Sequence, residues 1–258
     1  MVWHSWGKGR PVLMLHGGSG SWLHWLTTIP ALAPRYTLWV PDMPGFGDSD
    51  LPFEPYTLEN YAAILASGVR RLLPDSVPFD VVGFSLGASV ALRLARLLDG
   101  RIRSLVLSGA NFLPPVPGKK FRLANLRRLV EPAERLRGLT HNVRTMMIAH
   151  EENIDPLALH LYSLDTGRRK LPRVSFSGFH LLREDLPHAR VSRLTAISGA
   201  DDQVIGHGKD AQAGALRSLR PDAHYEALEG AGHWVMYEAA ERYNEALLRA
   251  LGAVRSAD

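Results

Sequence analysis

The chain has 258 residues, 46% hydrophobic and 22% charged, the composition of a soluble globular protein long enough for one large α/β domain or two small ones. It has no cysteine, which excludes disulfides, thiolate metal sites and a cysteine nucleophile and fits a reducing compartment. The net charge of +4 is spread along the chain with one denser stretch from Lys119 to Arg137, which reads as an arginine-rich solvated surface or as attraction for an anionic substrate, not as the stripe of a nucleic-acid binder.

In chain order, the N-terminal MVWHSWGKGRPVLMLHGG has no basic run leading into a long apolar segment. No signal peptide, a cytoplasmic location and no membrane or nucleic-acid partner are therefore expected. Short β-branched runs then alternate with amphipathic stretches. PVLMLHG (11–17), YTLWVPD (36–42), FDVVGF (79–84), IRSLVLSGA (102–110), RLTAISGA (193–200) and AHYEALEG (223–230) read as strands. Leu58 to Leu73, Leu86 to Leu98, His207 to Leu219 and Trp234 to Leu251 read as helices. This βαβα order predicts an α/β fold: a mostly parallel central sheet with helices on both faces. The rhythm stops between Asn111 and Arg190. There a turn-rich FLPPVPGKK precedes helix-like pieces, RLANLRRLV, RLRGLTHNVRTMMIAHEE and PLALHLYSL, with no convincing strand. Residues 111–190 thus read as a helical cap inserted in a core made of 1–110 and 191–258.

Four places along this frame carry chemistry. In GFSLG, Ser85 stands between Gly83 and Gly87 where an apolar strand gives way to a helix. A sharp turn there would lift the hydroxyl out, and the helix start would supply unpaired N–H groups, first that of Leu86. The pentapeptide alone is a weak signal, and its strand–helix context strengthens it. LHGGSGSW (15–22) follows a strand and can present a second donor for an oxyanion, the N–H of Gly18; otherwise it is a tight turn. A dinucleotide fingerprint fails, because Leu23 stands where the third glycine would be. SGADDQVI (198–205) puts Asp201 and Asp202 at a strand end, where one could orient a histidine and the other serve as a cap or loop carboxylate. His233 follows in a glycine-rich turn before the last helix. A lone histidine is more often structural, but the order Ser…Asp…His at successive strand ends favours a catalytic role. His16 reads as a stabiliser of the glycine-rich loop. His150, His160, His180 and His188 lack metal-ligand spacing, so no metal and no cofactor are expected.

Together these motifs resemble the α/β-hydrolase superfamily: LHGGSGSW its oxyanion loop, DMPGFGDSD (42–50) the loop after the next strand, GFSLGAS its nucleophile elbow, and GAGHWVMYEAAERYN its histidine loop and last helix. The resemblance covers most of the chain outside the cap. It implies Ser85 as nucleophile, His233 as its base, Gly18 and Leu86 as oxyanion donors and, from the family's G-x-x-D pattern, Asp202 as the acid. Serine at 85 sets the chain apart from haloalkane dehalogenases and epoxide hydrolases, which carry Asp there. Trp234 after the histidine resembles the carbon–carbon bond hydrolases of ring-cleavage products, although Phe84 stands where those often have Asn. The expected function is hydrolysis of a small carboxylic ester. The alternatives are carbon–carbon cleavage of a vinylogous diketone acid, whose carboxylate Arg168, Arg169 or Arg183 would read, or ligand reception on the same fold. Thioester cleavage and perhydrolysis use the same triad. Phe112 and Trp234 are expected to line the substrate pocket, joined by some of Leu126, Leu129, Met146, Met147 and Leu161. Oligomeric state is not legible.

Overall fold

Seven strands form one sheet in a computed structural model that describes residues 1–171 and 178–252, with the side chains of 178–181 left out. Six of them are the apolar runs of the sequence: β2 (Arg10–Leu15), β3 (Tyr36–Pro41), β4 (Phe79–Phe84), β5 (Ile102–Ser108), β6 (Arg193–Gly199) and β7 (His224–Leu228). The short N-terminal strand β1 (Trp3–Trp6) pairs antiparallel with β3, and every other pairing is parallel in the order β1-β3-β2-β4-β5-β6-β7. The chain moves outward from β2 to β3, then crosses back to lay β4 on the other side of β2. That reversal opens a crevice at the carboxyl ends of β2 and β4, where sheets of this kind bind ligands. Register brings the strand ends level: Leu15 pairs with Gly83, Phe84 with Ser108 and Gly199 with Leu228.

The period of two sends alternate strand residues to opposite faces. Leu13, Leu15, Val81, Leu105 and Leu107 pack under α2 (Leu58–Leu72) and α3 (Leu86–Leu97). Val12, Met14, Val82 and Val106 pack against the other face with α1 (Ile29–Leu32) and the C-terminal helices. The last predicted helix is two, α8 (Val235–Glu238) and α9 (Ala240–Ala250). The Thr27 hydroxyl donates to the Met236 carbonyl at 2.5 Å, occupying the acceptor that the next helical N–H would use, and the chain kinks at Ala239. Helix α7 (Lys209–Leu219) lies between β6 and β7.

Between β5 and β6 lies a helical insert with α4 (Pro132–Met146), α5 (Pro156–Arg168) and α6 (Gly178–Asp185). Asp155 caps α5 by accepting from the Ala158 N–H at 2.7 Å. RLANLRRLV departs from the sequence expectation and is not helical. Its backbone is taken by α4 side chains: Asn142 bonds both the N–H and the C=O of Ala124, and His141 bonds the Arg122 carbonyl. Leu126 and Leu129 turn inward over Gly138, while Val130 is left 89% exposed. Asp185, buried at the end of α6, is bound by Arg93 of α3 at 2.9 Å and by Arg96, which pins the insert to the core. Among the described residues no helix is long and apolar enough to cross a membrane.

Candidate active site

Ser85 joins β4 to α3 with φ 52° and ψ −113°, a left-handed conformation that a non-glycine residue adopts only under constraint. The constraint is visible on both sides. A Cβ on Gly83 would stand 2.3 Å from the Gly87 carbonyl oxygen, and one on Gly87 would stand 2.2 Å from that of Leu15. Both glycines are therefore required for the helix start to sit directly on the strand ends. The Ser85 N–H donates to Ser108 at 2.8 Å, which fixes the turn from below. The first N–H groups of α3, beginning with Leu86, have no intrahelical acceptor and sit at the positive end of the helix dipole.

The loop after β2 is held by two buried histidines. The His16 Nε2 accepts from the Met43 N–H at 2.8 Å, so its proton rests on Nδ1, which donates to the Gly17 carbonyl at 2.8 Å. Burial keeps this ring neutral, with its pKa lowered to about 4 against a smaller upward pull from the Gly17 carbonyl. The Gly17 carbonyl also accepts from the Gly20 N–H at 3.2 Å. In a trans peptide the carbonyl and the following N–H point opposite ways, so the Gly18 N–H faces away from His16. Gly18 has open space around it, and the Leu86 side chain is its nearest neighbour, 3.9 Å from where a Cβ would be. The two residues expected to supply the donors are thus neighbours. The second histidine, His24, accepts the Gly17 N–H at Nδ1, 3.1 Å away.

At the ends of β6 and β7 the structure separates the two aspartates. Asp202 is buried and accepts from the Nδ1 of His233 at 2.7 Å; its other oxygen takes the N–H groups of Val204 and Ile205 at 2.8 and 3.1 Å. That arrangement leaves the Nε2 of a neutral His233 free to accept a proton. Asp201 turns outward and binds His150 at 2.9 Å, a hydrogen bond that raises the pKa of that exposed histidine. The His233 ring lies 4.9 Å from the ring of Phe84, the residue before Ser85. The histidine loop is fixed by Glu238, whose carboxylate accepts from the N–H groups of Gly232, Ala149 and His150 at 2.7 to 3.0 Å.

A narrow cleft beside His233 is lined by residues 144–149, among them Met146 and Met147, and by Asp201 and Gln203. Trp234 and Phe112 are fully buried on opposite faces of the sheet. Trp234 donates from Nε1 to the His24 carbonyl at 3.2 Å and stacks on Tyr237, and the Phe112 backbone is held by Gln212. Leu161 is buried in the insert's contact with the core. Of the three arginines, Arg168 faces Asp48 at 3.7 Å, Arg183 is exposed, and Arg169 donates to the Ser19 hydroxyl of the glycine-rich loop at 3.3 Å. His160 and His188 are exposed, and the side chain of His180 lies outside the described residues.

Sequence reasoning passed over His24, Asp165 and Glu238. Asp165 had a readable signal: it continues the buried stripe Ala158, Leu161, Asp165 of α5, a carboxylate on an apolar helix face. Its Oδ1 accepts from the Ser21 hydroxyl at 2.6 Å, and burial raises its pKa to about 7.

Comparison with known proteins agrees with this architecture. The model of the alpha/beta hydrolase family matches residues 12–246. A 2-hydroxy-6-oxo-2,4-heptadienoate hydrolase of Pseudomonas putida is 38% identical over 111 residues, 42% of this chain and 40% of that protein. A 2-hydroxymuconate semialdehyde hydrolase of a Pseudomonas species is 28% identical over 251 residues, 93% of this chain and 86% of that one. A pimeloyl-[acyl-carrier protein] methyl ester esterase of Aeromonas hydrophila is 37% identical over 100 residues, 39% of this chain and 37% of the esterase. The chain thus aligns with less than half the length of the first and third of these. A solved meta-cleavage product hydrolase superposes with a TM-score of 0.74 at 23% identity, covering 98% of this chain and 94% of that one.

Proposed function

The chain belongs to the alpha/beta hydrolase family, and from that premise we propose that it is a serine hydrolase of small carboxylic esters. The observation that carries the proposal is the buried 2.7 Å bond between His233 and Asp202, at the same sheet edge as a serine held in a left-handed turn. Ser85 Oγ attacks the ester carbonyl carbon as its proton passes to Nε2 of His233. Asp202 holds the tautomer and stabilises the imidazolium. The N–H groups of Gly18 and Leu86 take the oxyanion, a contribution of about 3–4 kcal/mol per donor in comparable sites. His233 then gives its proton to the departing alkoxide, and a water molecule it deprotonates cleaves the acyl-enzyme. The helical insert of α4, α5 and α6 caps the site, and its apolar side chains receive the acyl or aryl group.

Carbon–carbon cleavage of a carboxylate-bearing dienoate is the second reading. It is favoured by the relatives acting on such compounds and by Arg169, the one of the three arginines bound to the glycine-rich loop. The test is turnover of short-chain aryl esters and a ring-cleavage dienoate side by side, with fluorophosphonate labelling, for the parent and Ser85→Ala. Loss of the serine is expected to lower turnover by about 10⁶. A folded Ser85→Ala protein that keeps most activity removes Ser85 from the mechanism. Dienoates outcompeting every ester would put the second reading first.

A further inference from the structure

Asp165 is an anomaly on its helix. It projects from α5 of the insert into the base of the glycine-rich loop, with its side chain 2% exposed. One oxygen takes the Ser21 hydroxyl, which also accepts the Leu23 N–H at 3.3 Å. The other oxygen, Oδ2, is buried without a hydrogen-bond partner among the described residues. The atom it faces is Nε2 of His24, 3.7 Å away. Because the Nδ1 of His24 accepts from the Gly17 N–H, a neutral His24 carries its proton on that Nε2. A donor and an acceptor therefore stand across a gap that a shift of under about 1 Å would close to hydrogen-bonding distance.

What His24 holds matters for the chemistry. Gly17 is pinned at its N–H by His24 and at its carbonyl by His16, and that carbonyl shares a peptide with the Gly18 N–H. The backbone angles of Gly17 set where the Gly18 donor points. We propose that Asp165 and His24 are positioning residues through which the helical insert sets the oxyanion loop, with the carboxylate form of Asp165 as the working one. The ionised Oδ2 draws the Nε2–H of His24, which makes Nδ1 a firmer acceptor for Gly17. The groups facing Asp165 are Ser21 and His24 from the loop region, Asp42 from the loop after β3, and Arg168 from its own helix. His24 faces His16 and His233 besides. Burial raises Asp165 to about 7, so the working form appears near neutral pH, while burial and those two histidines keep His24 neutral.

The inference rests on Ser85 hydrolysis with Gly18 as a donor, and the experiment separates the two. The full chain, Asp165→Asn and His24→Asn are purified and their active sites counted with a fluorophosphonate. An Asn at 24 can still accept from Gly17 but cannot reach Asp165. Rates per labelled site are then measured on an aryl ester from pH 5.5 to 9. Loss of an oxyanion donor costs about 10²–10³ in kcat, so misaiming one is expected to cost about tenfold in either variant, with KM within twofold. The parent's kcat falls by a further factor of about ten as pH drops through about 7 and Asp165 takes up its proton, a step that Asp165→Asn lacks. A merely structural Asp165 would change the labelled fraction and leave the shape of the profile alone. A kcat per site within threefold of the parent in both variants, or a profile whose shape Asp165→Asn leaves unaltered, overturns the inference while the hydrolase reading stands. A parent that is neither labelled nor active overturns both.

Discussion

Replacing Asp165 with Asn is expected to stabilise the protein at alkaline pH, and the size of the effect follows from its burial. The folded-state pKa is raised from 3.8 to about 7, chiefly by desolvation of the charged form, against a partial pull downward from Ser21. A carboxyl whose folded pKa is raised binds its proton more tightly in the native state. Its favourable contribution is complete below the unfolded value and is lost as pH rises towards the folded one. Between those values each pH unit removes about 1.4 kcal/mol, so the total is at most about 4 kcal/mol. Asn keeps the shape and can accept the Ser21 hydroxyl, but it has no charge to desolvate. Buried His16 titrates with the opposite sign, lowered to about 4, and contributes stability that is lost as pH falls below the ordinary histidine value. Subtracting parent from variant cancels that term. Urea unfolding at pH 5 and pH 8 is the assay. The variant's advantage should grow by about 3 kcal/mol between the two and level off above pH 7. An advantage that is constant across this range, or that shrinks as pH rises, would mean that Asp165 ionises freely and is not the desolvated group its surroundings imply.

The remaining expectations concern the candidate site itself. Asp202→Asn should lower kcat by about 10⁴, the scale of the same change in a serine protease, while Asp201→Asn, which loses only an exposed partner of His150, should change it little; the reverse ranking in steady-state kinetics assigns the acid to the wrong neighbour. Gly87→Ala would force a Cβ to within 2.2 Å of the Leu15 carbonyl oxygen, so the elbow cannot keep its shape; fluorophosphonate labelling should be lost, and a fully labelled variant would show the turn is looser than its packing implies. With an apolar pocket under the insert taking the acyl group, kcat/KM should rise about fourfold per methylene, from about 0.8 kcal/mol each, until the pocket is full and then fall; a flat profile from acetyl to dodecanoyl esters would mean an open site.

The sheet was legible because local and global signals agree in it. Each β-branched run is short, bounded by Gly or Pro, and separated from the next by a helical period. The places where reading failed are those where a side chain from elsewhere in the chain decides the backbone. RLANLRRLV has helical spacing of its leucines, yet Asn142 and His141 claim its backbone groups from 18 and 19 residues away. The final helix has an unbroken amphipathic pattern, yet a hydroxyl 209 residues distant takes the carbonyl of Met236. Neither partner leaves a trace in the local pattern, so no window of sequence could have contained the reason.

The candidate site divides along the same line. Ser85, Asp202 and His233 sit in loops where glycine and strand ends mark the chain, so spacing and order expose them. Asp165 and His24 sit where the sequence looks ordinary, one on a helix and one in SWLHW. Their meaning comes from burial. A carboxyl on the apolar face of α5 is costly to ionise, and the cheaper solution for a purely structural contact with Ser21 would be a neutral amide, which makes the same hydrogen bond without the desolvation penalty. The presence of a charge-capable group at a position where charge opposes folding is the pattern of a site shaped by something other than stability. That same charge is what His24 would need in order to be held from the insert. The stability measurement and the kinetic measurement on Asp165→Asn therefore bear on one claim from two sides: the variant should gain in the first at alkaline pH and lose in the second. A variant that gained in both would leave the ionisable group at 165 without a function in the loop.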